Sequence, residues 1–433
     1  MLAVPLNDLT DYSDHLVHPD QRGQPPVPPT AAPPAHDLAG LGRVALATTP
    51  AEFASYWRAG GLRGGDLQIY NWYSSLFRQA SVYPSGRPDG VRVPVADLGI
   101  IAPIHRVHRS ESSEGVVTKF TQVVQTFVDG RPPLEIESVL IPMIGRNSIR
   151  KYTLCVSSQV GCAMGCGFCQ TAQMGLIRSL SVAEIVGQWF AARHLIEHPD
   201  PEALIANIVF MGMGEPLDNF DNVVQAIAVL TDRRAANVAM RHITVSTVGR
   251  AAEIDRLAER VRQPGWHRLG LAVSLNAPTD AVRSSIMPIN KAIPMAALRR
   301  PMEQWPFFGG AHLCLEYVLI PGVNDTAEHA EQLAAYVQGA DYEGPAEPRY
   351  PGVALTGLVN VIPYNPRDNS PWPAPTEEQV VAFMAVLTAR RVPNKRRRTK
   401  GRDTMAACGQ LGNPTHTRRS LKASPVEVTV LGR

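Results

Sequence analysis

Between residues 150 and 390, short apolar runs alternate with stretches of helical periodicity, and this alternation constrains the fold more than any other feature of the chain. Apolar runs at 152–156, 208–211, 242–247, 269–275, 313–320 and 357–362 read as strands. Helical patterns follow at 181–195, 222–230, beyond Gly249, and at 326–337 and 376–389. The helix at 181–195 opens on Ser181 with Glu184 three residues later, a pairing that satisfies two otherwise orphaned backbone donors. Strand then helix, repeated in order, predicts a parallel α/β sheet or partial barrel. Such folds carry their chemistry at the carboxyl ends of the strands. Cys162, the Gly212 to Pro216 loop, Ser246, Asn276, Asn324 and Asn365 all follow such ends.

The chain has 433 residues, room for two or three domains. With 45% apolar and 19% charged residues, wholesale disorder is excluded. No run approaches the ~18 apolar residues of a membrane span. The first thirty residues hold four aspartates and several prolines but no apolar core of a secretory signal. Residues 1–45 are rich in Pro, Ala and Gly and read as a flexible extension. Residues 46–97 read as a small helical domain with Phe53, Trp57, Trp72, Tyr73 and Phe77 as its aromatic content. Residues 98–149 alternate like strands and form a hairpin-like connecting segment, with Asp129-Gly130 as the turn. Residues 391–433 are a basic C-terminal segment.

From Arg390 to the end, twelve Lys and Arg stand against Asp403 and Glu427, so the segment is near +10 in a chain of net charge +3. Eight of the twelve lie between Arg390 and Arg402. Such a block is either a contact for a polyanion, through counterion release, or a solvated tail. Six cysteines are present: Cys155, Cys162, Cys166, Cys169, Cys314 and Cys408. Four fall within fifteen residues, which points to a metal or redox site rather than a secreted disulfide framework.

The central motif is Cys162-Ala-Met-Gly-Cys166-Gly-Phe-Cys169. Three thiolates on a loop can hold three irons of a [4Fe-4S] cluster and leave the fourth open for S-adenosylmethionine. The alternative is a zinc site completed by a distant ligand such as Cys155. In its wider context, Cys155-Val-Ser-Ser-Gln-Val-Gly-Cys162-Ala-Met-Gly-Cys166-Gly-Phe-Cys169-Gln-Thr-Ala-Gln resembles the RlmN/Cfr family of radical S-adenosylmethionine RNA methyltransferases. The resemblance continues through Phe210-Met-Gly-Met-Gly-Glu-Pro-Leu, Ile243-Thr-Val-Ser-Thr-Val-Gly, Ser285-Ile-Met-Pro-Ile-Asn and Tyr317-Val-Leu-Ile-Pro-Gly-Val-Asn-Asp. Asn360-Val-Ile-Pro-Tyr-Asn-Pro and Ala406-Ala-Cys408-Gly-Gln-Leu complete it.

The resemblance implies a partial (β/α)6 barrel, a [4Fe-4S] cluster on Cys162, Cys166 and Cys169, and methylation of an adenine carbon in RNA: C2 in RlmN-like members, C8 in Cfr-like ones. Cys408 is the implied methyl carrier, Glu137 the acid–base residue that removes the ring proton, and Cys155 the thiol that attacks Cys408 to release product, leaving a disulfide. Cofactor contacts are implied for Gly214, Glu215, Ser246, Ser274, Leu275, Asn276 and Asn365, although the family usually has histidine where Asn276 stands. A flavodoxin-like donor would restore the thiols. The expected substrate is 23S ribosomal RNA, with tRNA a second, and the expected protein is a cytoplasmic monomer. A methyl carrier delivered to RNA gives the basic run a role in tracking phosphates. Cys314, in the fifth strand, reads as core packing. The competing readings are a C8 methyltransferase, a radical enzyme on a non-RNA substrate, and a non-catalytic RNA-binding iron–sulfur protein.

Overall fold

The computed structural model describes residues 37–82, 92–127, 132–145, 150–197, 204–307, 312–340 and 351–413. The Asp129-Gly130 turn and most of the Pro-rich insert 342–353 lie outside them. The first helices are α1 (Leu38–Ala47), α2 (Pro50–Ala59) and α3 (Asp66–Gln79). Helix α1 corrects the reading of residues 1–45 as extended throughout: Asp37 caps Gly40, and Leu41, Ala45 and Leu46 share a buried face. Helix α2 starts on a capping box, Thr49 with Glu52, and has proline at its first position. The aromatic residues pack on each other, with Phe53 stacked on Trp72 at 5.3 Å between centroids. A short ribbon of β1 (Ser81–Val82) and β2 (Val93–Pro94) follows.

Three long strands come next: β3 (Ile104–Ser112), β4 (Gly115–Gln125) and β5 (Leu134–Ile144). They are antiparallel to one another, and β5 pairs in turn with β6 (Arg150–Cys155), Val139 opposite Cys155. The connecting segment is therefore not set apart from the barrel; it extends the barrel's own sheet. After a ribbon of β7 (Gln159–Val160) and β8 (Arg178–Ser179) and the short α4 (Gln170–Gln173), strands and helices alternate. They are α5 (Val182–Phe190), β9 (Leu204–Phe210), α6 (Phe220–Thr231), β10 (Ile243–Thr247), α7 (Ala251–Val261), β11 (Gly270–Ser274), α8 (Asp280–Ile286) and α9 (Met295–Glu303). Then come β12 (Leu313–Leu319), α10 (Ala327–Gln338), β13 (Leu358–Pro363), α11 (Glu377–Ala389) and β14 (Asn394–Arg396).

The ten-stranded sheet runs β14-β13-β12-β11-β10-β9-β6-β5-β4-β3. Seven strands, β6 and β9 to β14, are parallel. The six expected strands are all there, and β14, inside the basic run, is a seventh. Helix α5 has the capping box read from Ser181 and Glu184. The N-terminal helices lie against α5 and α6, where Phe77 meets Trp189 at 6.2 Å and the Phe77 carbonyl is within 2.8 Å of His194 Nε2. Among the described residues no helix is long and apolar enough to cross a membrane.

Candidate active site

The loop leaving β6 carries the cysteine motif, and two glycines set its path. Gly161 has φ +74°, and a Cβ there would lie 1.9 Å from the Gly175 carbonyl oxygen. Gly214, beyond β9, has φ +104°, and its Cβ would meet the Gln159 side chain at 2.6 Å. A residue with a side chain fits neither position. The two loops thereby close on each other above the strand ends, where Gln159 Oε1 accepts from the Glu215 backbone N at 2.9 Å.

A cavity opens at these ends. Cys162, Cys166 and Cys169 line one part of it, Gly214, Glu215, Ser246, Ser274 and Asn276 another, and Asn365 and Cys408 a third. Burial pushes all three loop thiols up. Among the described residues no three His, Cys, Asp or Glu side chains are drawn together around a single-ion position. The three thiols instead share the wall of a cavity.

Several expected cofactor contacts also hold the protein together. Glu215, 1% exposed, accepts from the Leu217 backbone N at 3.0 Å and from the Val248 N at 2.8 Å. Burial, with the nearby Asp218 charge, raises its carboxyl to about 7. The Thr247 hydroxyl also hydrogen bonds to it and works against that rise. Asn276 occupies the left-handed region at φ 56°, which Asn tolerates. Its Oδ1 accepts from the Val318 N at 2.9 Å, and its Nδ2 faces the Met287 sulfur at 3.4 Å. Leu275 is fully buried, and its backbone N donates to the Val273 and Glu316 carbonyls. Its side chain does not line the cavity.

Cys408 rides on a segment that crosses the cavity. Asn365 Nδ2 donates to its carbonyl at 3.4 Å, while Asn365 Oδ1 accepts from Arg402. The Gln170 N, next to Cys169, donates to the Gly409 carbonyl at 2.7 Å, and Gln410 Nε2 donates to the Pro366 carbonyl at 2.9 Å. Cys155 lies outside the cavity lining, buried at the end of β6. Burial pushes its thiol up to about 12, the Cys408 charge adds to this, and the Arg397 guanidinium opposes it. All six cysteines are free thiols, so the disulfide implied for Cys155 and Cys408 is not formed here.

Glu137 does not reach the cavity lining either. It sits on β5 under the crossing segment, 3.2 Å from Lys119 Nζ, and takes a hydrogen bond from the Gly412 backbone. Burial raises its carboxyl, and Lys119 works against that. Lys119 Nζ also donates to the Met405 carbonyl at 3.1 Å.

Two sequence readings need correction. Cys314 is not plain apolar packing: it is only partly buried, and its thiol donates to Glu316 Oε1 at 3.3 Å. The basic run is not a free comb of charges. Arg390 pairs with Glu331 at 3.3 Å, Arg396 with Glu377, and Arg398 and Lys400 with Glu114 at 3.8 and 3.1 Å. Arg397 turns inward to Glu316, and Arg402 holds Asn365. Arg283, which the sequence reading passed over, is fully buried. Its Nε donates to the Leu275 carbonyl at 3.0 Å and its Nη2 to the Val248 carbonyl at 2.5 Å, tying the loops after β10 and β11. The signal was its place in Arg283-Ser-Ser-Ile-Met-Pro-Ile-Asn290, a charged residue within an apolar motif.

The profile of the Radical SAM superfamily matches residues 156–335. A partial parallel barrel with a C-x3-C-x2-C loop over a cavity at its strand ends defines a radical S-adenosylmethionine enzyme, which uses a [4Fe-4S] cluster and S-adenosylmethionine. The dual-specificity RNA methyltransferase RlmN of Campylobacter jejuni is 36% identical over 356 residues, covering 79% of this chain and 91% of the relative. The protein of the same name from Anaeromyxobacter dehalogenans is 38% identical over 363 residues, covering 82% and 89%. The crystal structure of a radical SAM methyltransferase from Sphaerobacter thermophilus matches at 34% identity with a TM-score of 0.67, covering 84% of this chain and 98% of that one. The chain belongs to the RlmN family of radical SAM methyltransferases.

Proposed function

We propose that the enzyme methylates C2 of an adenine in RNA, with Cys408 as the one-carbon carrier. The observation that carries this reading is that Cys408 and the three loop cysteines line one cavity, while Cys155 lies close enough behind it to feel the Cys408 charge. The printed name of the relatives, a dual-specificity RNA methyltransferase, supports RNA as the substrate class. We take 23S ribosomal RNA and tRNA as its two substrates, and a soluble cytoplasmic monomer as its form.

Cys162, Cys166 and Cys169 would hold the cluster, and Gly214, Glu215, Ser246 and Ser274 line the space left for S-adenosylmethionine. When bound, the two supply a methyl group and a carbon-centred radical, which an adenine ring carbon requires because it is a poor nucleophile. The protein's part is to carry, deprotonate and release. Cys408 carries the carbon as a thioether, so the RNA is tethered through a Cys408–CH2–adenine link. Glu137, its carboxyl raised by burial, takes the ring proton once the Gly412 backbone has moved off it, and the adduct's unpaired electron would pass to the bound cluster as acceptor, leaving a closed-shell thioether. The Cys155 thiolate then attacks the Cys408 sulfur. A sulfur–sulfur bond forms, the sulfur–carbon bond breaks, and the carbon keeps the electron pair and gains a proton to become the product methyl. The two thiols have been oxidised to a disulfide, and a flavodoxin-like donor of two electrons restores them.

Nucleosides from RNA incubated with cluster-loaded enzyme, reductant and S-adenosylmethionine, separated by mass spectrometry, test this reading. The expected result is 2-methyladenosine with wild type and none with Cys408→Ala. An 8-methyladenosine product keeps the carrier and changes the ring position. Cofactor cleavage with no methylated adenosine overturns the RNA assignment.

A further inference from the structure

Arg397 follows directly on β14 and turns its guanidinium into the barrel, where it lines the cavity together with Cys408. Its backbone N donates to the Val361 carbonyl at 2.8 Å, which fixes the turn. Its Nη1 lies 3.8 Å from Glu316 Oε2 and donates to the Met211 sulfur at 3.5 Å. Its charge acts on three thiols, Cys408 in the same cavity lining, Cys155 at the end of β6 and Cys314 on β12. Glu316 is a loose partner for it, because Glu316 Oε2 also accepts from Asn360 Nδ2 at 2.9 Å and Oε1 accepts from the Cys314 thiol.

We propose that Arg397 is a positioning residue shared by Cys155 and Cys408, a fixed cation that holds the charge of whichever sulfur is the thiolate. The proposal rests on the reading of Cys155 as the thiol that releases product. A thiol attacks only as thiolate, and one buried among apolar side chains is inert unless a cation compensates it. Cys155 is such a thiol, and the ionisable groups that act on it are Cys408, which opposes ionisation, and Arg397, which favours it. Cys408 is acted on by Arg397, Glu316 and Cys169. One guanidinium that acts on both sulfurs serves both ends of the exchange: it favours the Cys155 thiolate before the attack, and it lines the same cavity as the Cys408 sulfur from which the carbon leaves with the electron pair.

The test reads Cys155 in full-length, cluster-loaded protein, independent of RNA. The rate of Cys155 alkylation by iodoacetamide is followed against pH, peptide by peptide, in wild type, Arg397→Gln and Arg397→Lys. In Arg397→Gln the alkylation rate falls about tenfold across pH 7 to 9, the change expected when the thiol ionises one pH unit less readily. Arg397→Lys, which keeps the charge, recovers most of the rate. A wild-type profile in Arg397→Gln, or a lysine variant as slow as the glutamine one, overturns the proposal. Glu316→Gln is the second probe should Arg397→Gln fail to fold: removing the competing carboxylate raises the Cys155 alkylation rate, and an unchanged rate again overturns the proposal. Failure of the RNA reading is seen separately, as no methyladenosine from a wild-type enzyme whose Cys155 profile depends on Arg397 as stated.

Discussion

Replacing Lys119 by methionine removes a buried charge from beneath the segment that carries Cys408, and the consequence depends on pH. Lys119 and Glu137 have side chains only 10% and 11% exposed and lie 3.2 Å apart. Breaking a buried ion pair by deleting one partner costs about 3–5 kcal/mol when the other stays charged. Glu137 can avoid that by taking a proton, and burial already raises its carboxyl above the ordinary value of 4.5. A carboxyl raised in the folded state adds stability below its unfolded value, and this is lost as pH rises through its folded value. Without Lys119 the folded value rises further, so the penalty of Lys119→Met grows with pH. Near pH 4.5 only the hydrogen bond to the Met405 carbonyl is missing, about 1 kcal/mol. At pH 8 the loss reaches roughly 3 kcal/mol. Thermal midpoints of wild type, Lys119→Met, Glu137→Gln and the double variant, measured from pH 5 to 8, give the cycle. The gap between wild type and Lys119→Met should widen with pH, and adding Glu137→Gln should recover most of it. A gap that is constant in pH, or a double variant no more stable than Lys119→Met, refutes the argument.

Two further outcomes follow from the loops of the cavity. Gly161→Ala forces a left-handed residue and a side chain against the Gly175 carbonyl, so the cysteine loop shifts. The variant should fold but reconstitute with much less iron and sulfide than wild type, as read by elemental analysis and visible absorbance; wild-type loading would show that the loop adapts. In cluster-free protein, Glu215 is raised to about 7 by burial, so its favourable protonated state is lost as pH rises through that value. Glu215→Gln should therefore flatten the fall in thermal midpoint between pH 6 and 8, and parallel wild-type and variant curves would contradict this.

Much of the barrel was legible because its strands are short apolar runs closed by polar loops, a pattern fixed by burial on both faces. The Ser181 and Glu184 cap could be read for the same local reason. Helix α1 was not, since Pro- and Ala-rich flanks mask its stripe of Leu41, Ala45 and Leu46. Strand β14 was hidden more completely. Asn394, Lys395 and Arg396 have no strand propensity, and the strand exists because the edge of β13 offers unpaired backbone groups. At the site, the loop cysteines, Gly214, Ser246, Ser274, Asn365 and Cys408 could be placed together by motif and strand end. The roles of Lys119, Glu316 and Arg397 could not, because each depends on a partner distant in sequence. The basic run shows the limit most clearly: composition counted its charges, but only tertiary structure reveals which carboxylates already balance them.

The segment from Arg398 to Asn413 joins the far edge of the sheet back to β4 and β5, and this fixes when it forms. Its contact between Lys119 and Met405 closes 286 residues of chain. Closed from an unfolded chain, a loop of that length loses about 5 kcal/mol of entropy, before a constant of the same sign. Once the ten strands are paired, Arg396 is already in place and only a few residues remain to be ordered. The crossing segment is thus ordered last, onto a sheet that has already formed. Cys408 lies within this segment, so its opening would uncover the cavity while the seven parallel strands beneath stay paired.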